Sequence, residues 1–141
     1  DFRLSLMNLF AEKVLKPETG CRVSGFKEIR LHEDPNFFES HLDYLRDSFP
    51  KTRFLFQTRN HDAVSRSSWW ANKPKHVVYK QLKQADEMFS EYSRKNPDIC
   101  FTISYEKYAE GIDYAREIYN FLGEDMSDDA IGATLGQKLR H

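Results

Sequence analysis

The sequence predicts an α/β fold in which a parallel sheet is flanked by helices, and we expect one domain over residues 1–141. Three short apolar segments with the composition of strands are separated by helical patterns of a dozen or more residues. Strands joined in this way form parallel sheets, because a parallel pair needs a long crossover connection. Ligands bind such sheets at the carboxyl ends of the strands, so the turns after the strands are where a site is expected.

The first helix and the first strand are predicted at the amino-terminal end. Residues 2–15 place Leu6, Phe10 and Val14 at helical spacing, and the stop "KPETG" follows them. The segment "CRVSGFKEIRL", which begins at Cys21, has residues that suit a strand. We therefore expect a helix followed by the first strand of the sheet.

A second helix and a second strand come next. Asn36 with Glu39 three residues later has the form of a capping box, and Pro50 is placed to end the helix. The predicted apolar face of this helix consists of Phe38, Leu42, Leu45 and Phe49. Residues 53–58 form the second apolar strand, and another helix, with the two tryptophans in it, is expected after Asn60.

The remaining chain predicts a long helix, a third strand and two more helices. The long helix ends at "KNP", and its apolar stripe consists of Val78, Leu82, Ala85, Phe89 and Tyr92. "DICFTIS" is the third strand, and a helical segment from Tyr105 ends at Gly123, which is placed as a cap. Ser127 can cap a last helix that carries Ile131, Leu135 and Leu139.

Composition limits the classes of function. With 21 basic and 22 acidic residues the chain has no global charge, which argues against a general nucleic-acid binder. No apolar run approaches the roughly 20 residues of a membrane helix, and no leader opens the sequence, so we expect a cytoplasmic protein without a membrane segment. Cys21 and Cys100 lack the paired spacing of a zinc site or disulfide, and we expect both to be core residues.

The turn after the second strand carries the strongest candidate site. Arg59 ends this strand and Ser67 lies eight residues later, so a guanidinium and a hydroxyl can both reach an anion near the start of the intervening helix. The alternative is that Arg59 pairs with a surface carboxylate and Ser67 faces solvent. Asn60, His61 and Asp62 could be metal ligands, but capping of the helix explains them better.

The stretch "FPKTRFLFQTRNHDAVSRSSWW" resembles a motif of the sulfotransferases that use 3′-phosphoadenosine 5′-phosphosulfate (PAPS). In that family an arginine after an apolar strand, and a serine eight residues later, bind the 3′-phosphate of the donor; the resemblance assigns this role to Arg59 and Ser67. "ISYEKYAEGIDYAREIYNFLG" is similar to the family segment whose tyrosine contacts the adenine, which implies that role for Tyr105. "SGFKEIRL" resembles the lysine-bearing strand of bacterial members.

The resemblance covers residues 21 to about 131 and implies part of the nucleotide-kinase-like sulfotransferase fold. The family's loop of the Pro-Arg-Ser-Gly-Thr type, which holds the phosphosulfate, has no counterpart here, and the terminal Arg-Lys-Gly loop is replaced by "GQKLRH". Because the chain also begins inside an apolar helical pattern at Asp1, we expect a fragment of a larger sulfotransferase, and we expect the isolated fragment to be inactive.

Sulfuryl transfer needs a base for the acceptor and a positive charge for the leaving phosphate. Glu28 and Lys27, near the end of the first predicted strand, are the candidates, although an ion pair between them is the alternative; His32 is a weaker base candidate. Of Trp69 and Trp70, at most one is expected to face the site. A basic run either borders the donor phosphates or solvates a helix face: Lys73, Lys75, Lys80 and Lys83.

The expected reaction is transfer of a sulfuryl group from PAPS, the donor substrate, to a hydroxyl or amine, with no metal. The acceptor would be a small molecule, a saccharide or a lipid, and nucleic acid is not an expected partner. Two alternatives are a non-catalytic binding module that retains the fold, and a phosphoryl-transfer enzyme of related architecture. The latter would need a Walker-type lysine loop and a magnesium-binding acid.

Overall fold

The computed structural model describes residues 1–136, apart from the side chains of residues 109 and 110. The predicted core residue Leu139 and most of "GQKLRH" lie outside the described residues. Contacts within the chain divide it into two compact units, of which the first spans Asp1–Arg53 and the second begins at Phe54.

Two helices make up most of the first unit. Helix α1 spans Phe2–Phe10 and continues as a wider π-helical turn over Ala11–Leu15. Asp1 caps it by accepting a hydrogen bond from the backbone N–H of Arg3. Helix α2 spans Pro35–Ser48, after a short 3-10 turn at Leu31–Glu33.

The apolar face of α1 is one position away from the expected one. Met7 is buried, whereas Leu6 and Val14 of the predicted stripe are 42% and 60% exposed. Phe10, which the stripe did include, packs edge-on against Phe26 with 5.5 Å between ring centroids. The helix therefore buries the row that contains Met7 and Phe10, one turn apart.

Helix α2 forms where it was predicted, but it begins earlier than expected. Phe38 and Leu42 are buried as expected. The helix begins at Pro35, so Asn36 lies inside the first turn and cannot act as the N-cap of a capping box. Proline at the first helical position needs no hydrogen-bond partner, and the helix starts two residues earlier than a cap at Asn36 implies.

The predicted first strand does not form. Residues 21–30 are irregular and exposed, and Cys21 is exposed rather than in the core. Val23 and Phe26 are 44% and 49% exposed, at a spacing of three rather than the spacing of two that a half-buried strand requires. A strand also needs a neighbour to pair with, and among the described residues the ladder joins two other segments.

The second unit contains this two-stranded parallel sheet. Strand β1 spans Phe54–Thr58 and strand β2 spans Cys100–Ser104, in register from Phe54 opposite Cys100 to Thr58 opposite Ser104. Both correspond to predicted strands. The α/β class is therefore confirmed in a reduced form, as a mostly helical chain with a small parallel sheet.

Three helical segments connect the strands. Helix α3 is short, His61–Ser65, and is followed by a 3-10 turn at Ser68–Asn72 that holds both tryptophans. Helix α4 then runs over Lys75–Lys95, as its stripe predicted, and covers one face of the sheet. The Phe89 ring stacks on Phe56 with centroids 4.7 Å apart, and the Tyr92 ring meets Phe54 edge-on at 5.7 Å.

The opposite face of β2 is covered by helix α5, Ile112–Phe121. The Ile103 side chain lies on the opposite face of β2 from the Cys100 side chain, and it packs with Tyr114 and Ile118 of α5. Helix α5 is shorter than predicted, because a 3-10 turn at Glu106–Glu110 precedes it and Gly111, at φ +96°, separates the two.

Helix α5 ends as predicted, and α6 follows it over Asp128–Leu135. Gly123 adopts φ +80°, and the N–H groups of Gly123 and Glu124 donate to Asn120 and Tyr119, the arrangement of a Schellman cap. Ser127 caps α6 by accepting from the Ala130 N–H. Ile131 is fully buried, whereas Leu135 is 37% exposed.

Candidate functional site

The carboxyl ends of β1 and β2 lie side by side and bring together two predicted site residues. Thr58 and Ser104 are the last paired residues of the sheet, and the Tyr105 N–H donates to the Thr58 carbonyl over 2.9 Å. Arg59 and Tyr105 therefore follow neighbouring strand ends at one edge of the sheet. We call this place the carboxyl edge.

Arg59 and Tyr105 are in direct contact at the carboxyl edge. The central carbon of the Arg59 guanidinium lies 4.3 Å from the centre of the Tyr105 ring, within the range of a cation–π interaction. Both side chains are exposed, and Tyr105 retains 46% of its accessible surface. The contact favours one orientation of the guanidinium and leaves its positive charge within reach of a dissolved anion.

A third residue at the carboxyl edge, Glu106, was not predicted as a site residue. One carboxylate oxygen accepts from the backbone N–H of Asn60 over 2.7 Å, and the other accepts from the Ser104 hydroxyl over 3.3 Å. The Asn60 N–H, then the backbone N–H of Glu106 itself, and to a smaller extent the Ser104 hydroxyl and the charge of Arg59, lower the pKa of Glu106. Glu106 therefore connects the two strand ends and remains ionised.

The only available signal for Glu106 was its place in the sequence. It follows a strand directly, in the tyrosine-glutamate pair that we used only for its tyrosine. Its partner Asn60 is 46 residues away, so the contact depends on the register of the sheet.

Helix α3 is capped, as the sequence predicted, by the residue after Arg59. The Asn60 side chain accepts from the Ala63 N–H over 3.0 Å. The helix has only five residues, so its dipole is small and its amino terminus attracts an anion less strongly than expected. Among residues 1–136, no three His, Cys, Asp or Glu side chains are grouped as metal ligands.

The residues after the cap hold α3 against α4. His61 Nε2 lies 2.7 Å from an Asp86 carboxylate oxygen. Asp62 accepts from the Tyr79 hydroxyl and pairs with Lys75, and the contact with Lys75 is the main cause of its lowered pKa. These contacts give His61 and Asp62 structural partners and anchor the segment that follows Arg59.

Ser67 follows the end of α3 and is partly buried rather than facing solvent. Its hydroxyl donates to the Val64 carbonyl over 2.9 Å. The hydroxyl oxygen keeps its capacity to accept, but the hydrogen that a phosphate would receive is engaged within the turn. Participation of Ser67 in a phosphate site therefore requires that the hydroxyl rotate.

The two tryptophans lie together, rather than one facing a site and the other lying in the core. Their rings stack on each other with centroids 4.1 Å apart, and Trp69 is 42% exposed. The Lys73 ammonium lies 4.6 Å from the Trp69 ring and 5.0 Å from the Trp70 ring. A 3-10 turn, rather than the helix that we expected, places the two rings face to face.

The other lysines of the basic run differ in their surroundings. Lys75 pairs with Asp62, and Lys83 lies 3.9 Å from Glu87 on the exposed face of α4. Lys80 is exposed on the same helix. The interpretation of this run as a solvated helix face fits Lys80 and Lys83.

The expected placement of the catalytic candidates on a strand end is wrong. Lys27 and Glu28 lie in the irregular, exposed segment of the first unit, and Glu28 accepts from the Arg30 backbone N–H over 2.6 Å. His32 lies in the 3-10 turn that follows and is partly buried. The strand end that supported Glu28 as a base therefore does not exist, and its role stays a prediction from the chemistry that the reaction requires.

Comparisons with protein-family models, with curated proteins and with solved structures find no match. Among the described residues, no helix is both long and apolar enough to cross a membrane.

Proposed function

We propose that this chain belongs to a sulfotransferase that transfers a sulfuryl group from PAPS to a hydroxyl or amine, and that its carboxyl edge binds the 3′-phosphate and adenine of the donor. The observation that carries the proposal is the contact of Arg59 with Tyr105. These residues were selected from two separate stretches of sequence, and they meet where parallel sheets bind ligands.

Arg59 supplies the charge for phosphate recognition. Its guanidinium is exposed and presents several N–H donors in one plane, which suits the oxygens of a phosphate. The Tyr105 ring holds that plane in place before a ligand arrives, which lowers the entropy cost of binding. The exposed part of the Tyr105 ring offers a surface on which a purine could stack.

The other parts of the proposed site are less complete. Ser67 would donate to the phosphate after its hydroxyl turns away from the Val64 carbonyl. Glu28 as base and Lys27 as counter-charge remain proposals that rest on the need of the reaction for a base and a positive charge. The phosphosulfate loop has no counterpart in the 141 residues, so we expect this chain by itself to bind the donor without turning it over.

The second candidate function is that of a binding module without catalysis. It is favoured by the position of Lys27 and Glu28 on an exposed, irregular segment, which is a poor place to hold an acid or base in a fixed geometry. In both functions the carboxyl edge would bind a phosphorylated nucleotide.

The proposal is tested by calorimetric titration of 3′,5′-adenosine bisphosphate into the wild-type chain and into Arg59→Ala. A charge-assisted contact with phosphate contributes about 1.5–3 kcal/mol, so Arg59→Ala should weaken binding by about tenfold or more. Arg94→Ala is the matched control. Arg94 is exposed beyond Tyr92, which packs at the start of β1, so it lies toward the opposite end of the strands.

Two further titrations define the ligand. ATP, which lacks the 3′-phosphate, should bind more weakly than the bisphosphate. Tyr105→Phe should retain affinity and Tyr105→Ala should lose it, because the ring rather than the hydroxyl contacts Arg59. Equal affinity for ATP, or wild-type affinity in Arg59→Ala, would refute the proposed donor site.

A further inference from the structure

Glu106 places a negative charge within the site that we propose for an anion. Its carboxylate accepts a hydrogen bond from the backbone N–H of Asn60, the residue directly after Arg59. Through this hydrogen bond the negative charge of Glu106 is held beside the residue that follows Arg59. With Arg59 positive and Glu106 negative, the unliganded carboxyl edge has a local formal charge close to zero.

We propose that Glu106 lowers the anion affinity of the carboxyl edge, because its negative charge offsets that of Arg59 and its carboxylate holds the Asn60 N–H. This inference rests on the proposed function. Glu106 repels any anion that Arg59 attracts, and the repulsion increases with the charge of the ligand. A phosphate monoester binds against this repulsion through the hydrogen bonds that its several acceptor oxygens receive from the guanidinium.

A glutamine substitution separates the proposed effect of the Glu106 charge from a purely structural role of this side chain. Glu106 also joins the ends of β1 and β2 through Asn60 and Ser104. A glutamine side chain retains both contacts, since its carbonyl oxygen accepts from the Asn60 N–H and its NH₂ group can donate to the Ser104 hydroxyl oxygen. Glu106→Gln therefore removes the charge and leaves the connection.

The effect of the charge can be estimated from Coulomb's law. Removing a unit negative charge about 6 Å from a bound anion in water should tighten binding about threefold for a monoanion and about tenfold for a dianion. The variant site has a net positive charge, so its affinity should also fall more steeply with added NaCl than that of the wild type. A loss of structural support alone would weaken binding and would not steepen its dependence on salt.

The experiment is calorimetric titration of the wild-type chain and Glu106→Gln with two probes, 3′,5′-adenosine bisphosphate and inorganic pyrophosphate, each at low and high NaCl. Glu91→Gln is the matched control. It changes the net charge equally, but Glu91 is exposed on α4 beside Tyr92, which packs at the start of β1 rather than at its end. Circular dichroism establishes that both variants fold.

Tighter binding and a steeper salt dependence in Glu106→Gln, both absent in Glu91→Gln, support the inference. If the wild type binds the bisphosphate and Glu106→Gln binds it equally or more weakly, the inference is wrong and the proposed donor site stands. If Glu106→Gln tightens binding of pyrophosphate and neither protein prefers the bisphosphate, the role of Glu106 stands and the sulfotransferase proposal is wrong. No binding of either probe by either protein overturns both.

Discussion

The packing of β1 against α4 makes a quantitative prediction about two adjacent residues. Phe56 is 6% exposed and stacks on Phe89, whereas Leu55 points to the other face and is 39% exposed. Truncating a buried phenylalanine to alanine costs about 3–5 kcal/mol, through lost burial and the cavity that remains. Truncating a half-exposed residue such as Leu55 should cost about 1 kcal/mol or less.

Small domains are stabilised by about 5–15 kcal/mol in total, so Phe56→Ala should remove a large part of the stability of the second unit. Phe56→Leu provides a milder test. It keeps most of the volume and loses the stacked pair with Phe89, which corresponds to about 1–2 kcal/mol. The expected order of destabilisation is Phe56→Ala, then Phe56→Leu, then Leu55→Ala.

The assay is urea unfolding monitored by tryptophan fluorescence. Both tryptophans of the chain, Trp69 and Trp70, belong to the second unit, so the signal reports on the unit that carries the substitutions. The midpoint and slope give the free energy of unfolding for each variant. A Leu55→Ala loss as large as that of Phe56→Ala would refute the assignment of the buried face of β1, and with it the placement of α4 on the sheet.

The remaining predictions concern a carboxylate and two glycines. Because the pKa of Glu106 is lowered in the folded state, chiefly by the Asn60 N–H, the stability it contributes is complete above the ordinary glutamate pKa of about 4.3 and is lost as the pH falls through the lowered value. Unfolding of the wild type and Glu106→Gln at a series of pH values should show a difference that shrinks once the pH falls below about 4.3 and is lost below the lowered pKa of Glu106; a constant difference would contradict the pairing. Gly123→Ala should destabilise the chain by about 1–2 kcal/mol, because φ is +80° there and nothing else crowds the added methyl group. Gly132→Ala should stabilise α6 by up to about 1 kcal/mol, since its methyl group would meet Ile112 at an ordinary contact distance of 3.8 Å; the same sign for both glycines in thermal unfolding would show that φ does not govern them.

The two strands and the long helix between them were predictable from local sequence. Each strand is a short apolar run, the helix has apolar residues at a period of 3.6, and a proline follows the end of α4. Caps were equally readable where a side chain acts within its own turn, as Asn60 and Ser127 do. These signals act over a few residues, so sequence alone determines them.

The segment from Cys21 to Leu31 shows where local reasoning failed. Its composition suits a strand, but a strand is stable only when another strand pairs with it, and composition does not specify a partner. Burial of the two cysteines also depends on their surroundings. Cys21, in this unpaired segment, is exposed, whereas Cys100, within β2, is buried. The turn at Gly111 likewise divided a segment whose residues all favour a helix.

The sequence by itself determined that Arg59 and Tyr105 each follow a strand, and therefore that each lies at a strand end. Only the tertiary structure decided that the two strands are neighbours in register, which brings the guanidinium onto the ring and joins Glu106 to the Asn60 N–H. The physical reason is the separation along the chain over which each kind of interaction acts. Periodicity and capping act within a few residues of the chain, whereas pairing between β1 and β2 joins residues 46 positions apart and depends on the burial of both strands beneath their helices.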